Sequence, residues 1–286
     1  MLSFFKERKK KISTLFNDAP NTFKYSFTIQ VKDVVFGIHT NQTSLGNYIK
    51  QTYQEFIVDK PADYVFNFHN HTKSVVIDVS ENESYTYDFI QFFDTYFYYR
   101  YGKQEPIVDI ALPSKFEFWE FENFFKIFIS SISLKFNALL IHASAVVKDN
   151  EIILFSGQSG AGKSTIAGLS GYPIIHDDNI LISHLGDGLF ELETIPFKIP
   201  YKKNTFTGKI KGFYRLFQHD ETFIRDIEKN KQLTHLLFGL WAFDHFGNKN
   251  TMQYNANVMK YCTEIVPHLK IKELYFTKTN DFLKLV

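Results

Sequence analysis

Residues Gly157 to Thr165 read Gly-Gln-Ser-Gly-Ala-Gly-Lys-Ser-Thr, the G-x-x-x-x-G-K-S/T spacing of a loop that wraps the phosphates of a nucleoside triphosphate. Gly157, Gly160 and Gly162 allow successive backbone N–H groups, including those of Gln158, Ser159 and Ala161, to turn inward around phosphate oxygens. Lys163 then bridges the terminal phosphates. Ser164 supplies the hydroxyl that a phosphate-bound Mg²⁺ takes as a protein ligand, and Thr165 continues into a helix start that favours anions. The expected ligands are therefore ATP and Mg²⁺.

A second constellation follows at Asp177-Asp178. Adjacent carboxylates suit a division of labour in which one anchors Mg²⁺, directly or through water, and the other accepts the proton of an attacking hydroxyl. Either Asp177 or Asp178 can be the base, and Asp178 with Ser164 is the candidate metal-binding pair. A third candidate is His142, whose imidazole can shuttle a proton or offset phosphate charge. The plainer alternatives are a histidine satisfied by backbone bonds and an aspartate pair that caps a turn.

Local structure must bring these groups together. Ile152, Ile153, Leu154 and Phe155 form an apolar, largely β-branched run directly before the loop and predict the strand that delivers it. Leu139 to Val147 reads as another strand, and Asp149-Asn150 as a two-residue hairpin turn between them. With Lys148 opposite Glu151, His142 falls opposite Gly157. After the loop, Lys163 to Leu169 predicts a short helix ended by Gly168, Ser170 and Gly171, and Tyr172 to Ile175 a strand that finishes at His176-Asp177-Asp178. A right-handed crossover makes that strand parallel to the one entering the loop, so the aspartates come to the same sheet edge.

Outside this region, Phe23 to Val79 reads as mostly short strands, such as Tyr25 to Val31 and Ser74 to Val79. Tyr85 to Arg100 is ambiguous between strand and helix because aromatic residues crowd both faces. Pro106 to Pro113 is extended. Ser114-Lys-Phe-Glu117 matches a capping box for a helix that carries the stripe Phe118, Phe121, Phe125, Phe128 and Ile132. These signals divide the chain near Leu112 into a smaller, strand-rich α+β domain (residues 1–112) and a nucleotide domain (residues 113–286), an α/β fold overall. Further on, Asn179 to Thr194 predicts a hairpin, Lys211 to Leu216 a strand, Asp220 to Gly239 mostly helix with His235 packed, and Lys270 to Phe276 a last strand. Pro196, Lys198, Pro200, Lys202 and Lys203 make a basic loop. Arg215 and Arg225 are candidate transition-state cations.

Composition narrows the class. A chain of 286 residues with 44% hydrophobic content has material for one large or two ordinary cores, which excludes global disorder. A net charge of +1 gives no argument for nucleic acid or a membrane as main partner. The single cysteine, Cys262, allows no internal disulfide, and the histidines do not pair with cysteines at zinc-ligand spacing. Met1 to Phe16 holds a basic run without the apolar stretch of a signal peptide, so a cytoplasmic protein is expected; this run reads as a solvated terminus or an ordinary surface helix, the alternative being an amphipathic membrane-surface helix. Phe116 to Ile141 carries too many charges for a transmembrane span.

Leu140-Ile-His-Ala-Ser-Ala-Val146, Phe155 to Thr165 and Gly171-Tyr-Pro-Ile-Ile-His-Asp-Asp178 together resemble the HPr kinase/phosphorylase-like kinases, which are related to phosphoenolpyruvate carboxykinase. Within them the chain is most similar to the branch associated with peptide modification, including lasso-peptide tailoring kinases. The resemblance implies a variable N-terminal domain, a P-loop catalytic domain, and transfer of phosphate from ATP to a serine hydroxyl. It places Lys163 and Ser164 as the loop lysine and serine, His142 as the strand histidine, and Asp177 and Asp178 as the paired aspartates. Two departures weigh against HPr itself as acceptor: Thr165 stands where the HPr kinase commonly has glutamate, and Asn179 where it has arginine.

The expected partner is a peptide or small protein bearing the acceptor serine, held by strand addition if the N-terminal strands leave an open edge. The alternatives are a kinase for a small molecule such as a free amino acid, and a nucleotide-dependent switch. No Asn-Lys-x-Asp run supports a guanine-nucleotide switch. A homo-oligomer is left open.

Overall fold

The computed structural model describes residues 16, 22–70, 80–81, 85–92, 95–113, 115–197, 203–241 and 251–286. These form a mixed α/β protein with two sheets. The chain divides into two compact units between Lys126 and Ile127, beyond the Leu112 position where the last strand of the first sheet ends.

The first unit contains β1 (Tyr25–Val31), β2 (Val34–Thr40), α1 (Thr43–Thr52), β3 (Tyr64–Asn70), β4 (Ser80–Glu81), β5 (Tyr85–Phe92), β6 (Thr95–Gly102) and β7 (Ile107–Leu112). Its sheet runs β1-β2-β3-β7-β6-β5-β4, with β3 parallel to both β2 and β7. The ambiguous aromatic stretch is thus an antiparallel strand pair, β5 with β6. The segment at Thr43–Thr52 is helical where strand was expected. Leu45 and Ile49 share its buried face, and Gly46 leaves room for the Tyr25 ring, which a Cβ would meet at 2.4 Å. The strand expected at Ser74 to Val79 lies outside the described residues.

Strand alternation sends Phe36, Phe66 and Phe68 to one face of the sheet. There they meet α2 (Phe118–Ile132): Phe125 packs edge-on against Phe36 and Phe66 with ring centroids 5.2 and 5.5 Å apart, and Phe121 against Phe68 at 5.2 Å. The expected phenylalanine stripe is a packing stripe. Ser114 lies outside the described residues; the helix opens at Phe118, and the N–H of the preceding Glu117 donates to Glu120 Oε2 at 2.7 Å.

The opposite face carries an in-register polar row, His39, Asn67, Asp109 and Arg100, that no periodicity argument had picked out. Asp109 is buried and accepts hydrogen bonds from Arg100 at 2.8 Å and from His69 and Asn67 at 3.0 Å. Burial alone would raise its pKa; the bonds from His69, Asn67 and Arg100 outweigh it and hold the carboxyl below its usual value. The outer edge of β1 is bridged at its middle, since the Val58 N–H donates to the Thr28 carbonyl at 2.9 Å and the Thr28 hydroxyl donates to the Val58 carbonyl. A peptide adding to that edge would meet this bridge.

In the second unit the elements are β8 (Ala138–Ile141), β9 (Ala143–Lys148), β10 (Glu151–Ser156), α3 (Lys163–Leu169), β11 (Ile174–His176), β12 (Ile180–Gly186), β13 (Leu189–Thr194), β14 (Thr205–Gln218), β15 (Phe223–Asp226), α4 (Lys229–Phe238), β16 (Leu240–Trp241), α5 (Thr251–Leu269) and β17 (Ile271–Phe276). The sheet order is β11-β9-β10-β14-β13-β12-β8-β16, with β17 beside β14 and β15 beside β17. Consecutive residues of β10 feed different cores. Ile153 and Phe155 pack with Ile166 and Ala167 of α3, whereas Ile152 and Leu154 join Leu236 of α4 and Val258, Cys262 and Ile265 of α5. Burial pushes the Cys262 thiol up to about 12, so it behaves as a small core hydrophobe.

Residues 220–239 are not one helix. Phe223–Asp226 forms a strand because Phe223 stacks on Tyr275 of β17 at 4.6 Å, and the helix begins only at Lys229. No helix among the described residues is long and apolar enough to cross a membrane.

Candidate functional site

The site begins at a turn. Asp149 and Asn150 both have positive φ, 52° and 61°, the backbone that a two-residue hairpin needs to match the strand twist. The ladder then runs from Lys148↔Glu151 to Ala143↔Ser156, and the next residues outward are His142 and Gly157. At His142 the chain changes partners, because β8 pairs with β12 whereas β9 pairs with β10. Its N–H therefore leaves the ladder and donates to the Gly239 carbonyl at 2.6 Å.

The loop leaves β10 with Gly160 and Gly162 at φ 80° and 101°. A Cβ at Gly162 would stand 2.9 Å from Phe276 Cζ, so both backbone and space call for glycine there. Lys163 opens α3 and is only 7% exposed. Its Nζ donates to the Gly157 and Gln158 carbonyls at 2.9 and 3.2 Å, inside the curve of the loop. The Ser144 hydroxyl ties the Lys163 carbonyl to β9 at 3.1 Å. Gln218, at the end of β14, donates to the Gly160 carbonyl at 2.9 Å. Nothing in the motif announces Gln218; only its place on the strand parallel to β10 puts it there.

Two strands over, β11 pairs antiparallel with β9 and so runs parallel to β10, as the crossover rule requires. It ends beside the loop: the Ser164 hydroxyl donates to the Asp177 carbonyl at 3.3 Å. Asp178 Oδ1 lies 3.0 Å from His142 Nε2, with the two side chains 24% and 29% exposed. Asn179 donates its side-chain amide to Asp178 Oδ2. The turn itself is fixed by buried His176, whose Nδ1 accepts the N–H groups of Asp178 and Asn179 at 3.1 and 3.0 Å while its Nε2–H donates to the Phe197 carbonyl at 3.1 Å. His176 is thus a positioning residue that the spacing argument passed over. Its signal was present in the run His-Asp-Asp, since a histidine just before a tight turn can accept following N–H groups.

Lys163, Ser164, Asp177, Asp178 and His142 thus meet at the carboxyl ends of β10 and β11, while Gln158, Ser159 and Thr165 are exposed around them. Among the described residues no group of three or more His, Cys, Asp or Glu side chains converges as a metal site. The donors present, the Ser164 hydroxyl against the Asp177 carbonyl and the carboxylates carried by that same turn, fit Mg²⁺, which takes few protein ligands and completes its shell with phosphates and water.

The two candidate cations differ. Arg225 is 58% exposed, and its Nε lies 2.7 Å from Glu273 Oε2. Arg215 is half-buried and stands in register with Ser156, one residue before the loop. Of the basic stretch, Lys198, Pro200 and Lys202 lie outside the described residues. No family model matches this chain, and no curated protein matches it.

Proposed function

We propose that this protein is a magnesium-dependent kinase that transfers the γ-phosphoryl group of ATP to a serine-type hydroxyl on a peptide or small protein, on a P-loop domain of the HPr-kinase and carboxykinase type. The observation that carries this reading is the meeting of the phosphate loop with a His142–Asp178 pair, through the Ser164 contact to Asp177. A nucleotide-binding loop needs Lys163 and Ser164; an oriented carboxylate beside them is what a hydroxyl acceptor needs.

In this mechanism the loop N–H groups and Lys163 hold the β- and γ-phosphates and offset their charge. Ser164 and an aspartate carboxylate would hold Mg²⁺, which when bound supplies further charge neutralisation on the phosphates. Asp178 accepts the acceptor's proton. His142, through Nε2, fixes the Asp178 carboxylate and stabilises it as the proton arrives or leaves. Asn179 holds the other carboxylate oxygen, so the base has one orientation.

The test is transfer of γ-labelled phosphate from ATP and Mg²⁺ into a cell extract separated into small molecules, peptides and proteins. Label in a peptide or protein fraction that disappears with Asp178→Asn is the expected result. Label confined to small molecules would replace the acceptor class, and no Asp178-dependent label would sink the kinase reading.

A further inference from the structure

One in-register row crosses the sheet a single step before the phosphate loop: Ala143, Ser156, Arg215, Glu273 and Arg225. It contains two guanidinium groups and one carboxylate. Glu273 is taken up by Arg225 at 2.7 Å, by the Tyr275 hydroxyl at 3.1 Å and by His235 Nε2 at 3.9 Å. Arg215 is held differently. Its guanidinium lies over the Phe238 ring at 4.5 Å and the Phe217 ring at 5.3 Å, and its Nη1 is 3.5 Å from His235 Nδ1. Among the described residues no carboxylate stands within ion-pair distance of it.

That difference has a chemical meaning. Arginine stays charged at any working pH, and an aromatic face orients a guanidinium without cancelling its charge. Glu273, its register neighbour, is taken up by Arg225, so the row carries two guanidinium groups against one carboxylate, and an anion that arrives with substrate balances the excess. His235 Nδ1 faces the guanidinium as an unprotonated acceptor, with Nε2–H turned to Glu273. Burial first, and the Arg215 charge second, hold its pKa below the ordinary imidazole value.

The carrier of this arrangement also holds His142. His235 and Phe238 of α4 set Arg215, and the next residue, Gly239, accepts the His142 N–H. A Cβ on Gly239 would stand 2.5 Å from Ser156 Oγ, so the end of α4 sits directly on the residue that precedes the loop. Packing puts α4 and α3 on opposite faces of β10. Arg215, held by α4, thus lies on the face of the sheet opposite α3, one register step before the loop.

We infer that Arg215 is a catalytic residue of the phosphoryl transfer proposed above, its guanidinium taking charge that builds on the transferring group, and that His235 is the positioning residue that aims it. This rests on the kinase reading. In the step, the acceptor oxygen bonds to the γ-phosphorus as the bond to the β,γ-bridging oxygen breaks. ADP leaves with that electron pair, and the acceptor proton passes to Asp178 and then to water.

The experiment compares wild type with Arg215→Ala, Arg215→Lys, His235→Ala and His235→Asn, measuring Mg-ATP affinity and release of γ-labelled phosphate to acceptor or water. For Arg215→Ala the expected result is a fall in turnover of about 10³-fold with affinity within about threefold of wild type. Added guanidinium ion restores part of that loss in Arg215→Ala and none in Asp178→Asn. Arg215→Lys falls in between. His235→Asn, which keeps an acceptor oxygen near the guanidinium, retains more turnover than His235→Ala. Wild type active and Arg215→Ala equally active would overturn this inference alone, as would a loss that guanidinium does not relieve. Wild type that binds no Mg-ATP or moves no label would overturn the kinase reading and this inference with it.

Discussion

Among single residues, Gly162 and Asp178 are each held to few conformations. Gly162 combines φ 101° with a space closed by Phe276. Gly162→Ala is therefore expected to cost more than about 1 kcal/mol in stability and to weaken nucleotide binding together with it. Urea melts and a nucleotide titration on the same sample check both. Asp178→Asn keeps the Asn179 and His142 neighbours but removes the proposed proton acceptor, so turnover should fall by about 10²–10⁴-fold with the fold intact. A loss of folding in that variant would instead make Asp178 a structural cap.

At the scale of elements, the β9–β10 hairpin is the part that the sequence made most legible, because its information is local. Two turn residues that tolerate positive φ and two apolar strands fix the register, and the register delivers His142 to the loop. Asn150→Gly should leave the hairpin unchanged or stabilise it by up to about 1 kcal/mol, whereas Asn150→Val should cost about 1–2 kcal/mol and reduce turnover through misplaced His142. Equilibrium unfolding and transfer assays on both variants read the difference. The helix at Thr43–Thr52, the strand at Phe223–Asp226 and the pairing of Gln218 with the loop were not legible. Each is decided by a distant partner, namely Tyr25 against Gly46, Tyr275 against Phe223, and Gly160. Likewise α2 was read correctly as a packing helix from its phenylalanine spacing, but its starting residue was set by Glu120 reaching back to Glu117. Arg215 and Arg225 are equivalent in the sequence, and only the pairing of Arg225 with Glu273 distinguishes them.

For the molecule as a whole, the titrating groups predict how the two units respond to acid. In the second unit, burial first, then a neighbouring charge, lowers the pKa of His235 and of His184, the neighbours being Arg215 and His268. Below an unfolded value of about 6.5 the unfolded chain takes up protons that these folded imidazoles refuse, so stability drops as pH falls through that value. In the first unit, Asp109 has the depressed carboxylate case. Its contribution is present above an unfolded value of about 3.9 and is lost as pH falls through its lower folded value. The second unit should therefore weaken first on acidification. Trp119 and Trp241, one in each unit, report this by fluorescence when the other is replaced by Phe. Simultaneous loss at both tryptophans near neutral pH would contradict it. Asp109→Asn, by leaving Arg100 and His69 without their shared anion, should cost about 3–5 kcal/mol at neutral pH.

The claim on which the rest depends is that the Gly157–Thr165 loop and the Asp177–Asp178 turn form one magnesium-nucleotide site. Its most direct test is a titration of a fluorescent ATP analogue, with and without Mg²⁺, into wild type, Lys163→Ala and Asp177→Asn. The expected result is tight binding that Mg²⁺ strengthens in wild type, loss of binding in Lys163→Ala, and binding in Asp177→Asn that Mg²⁺ no longer strengthens. Affinity that ignores Mg²⁺ and survives Lys163→Ala would contradict the account.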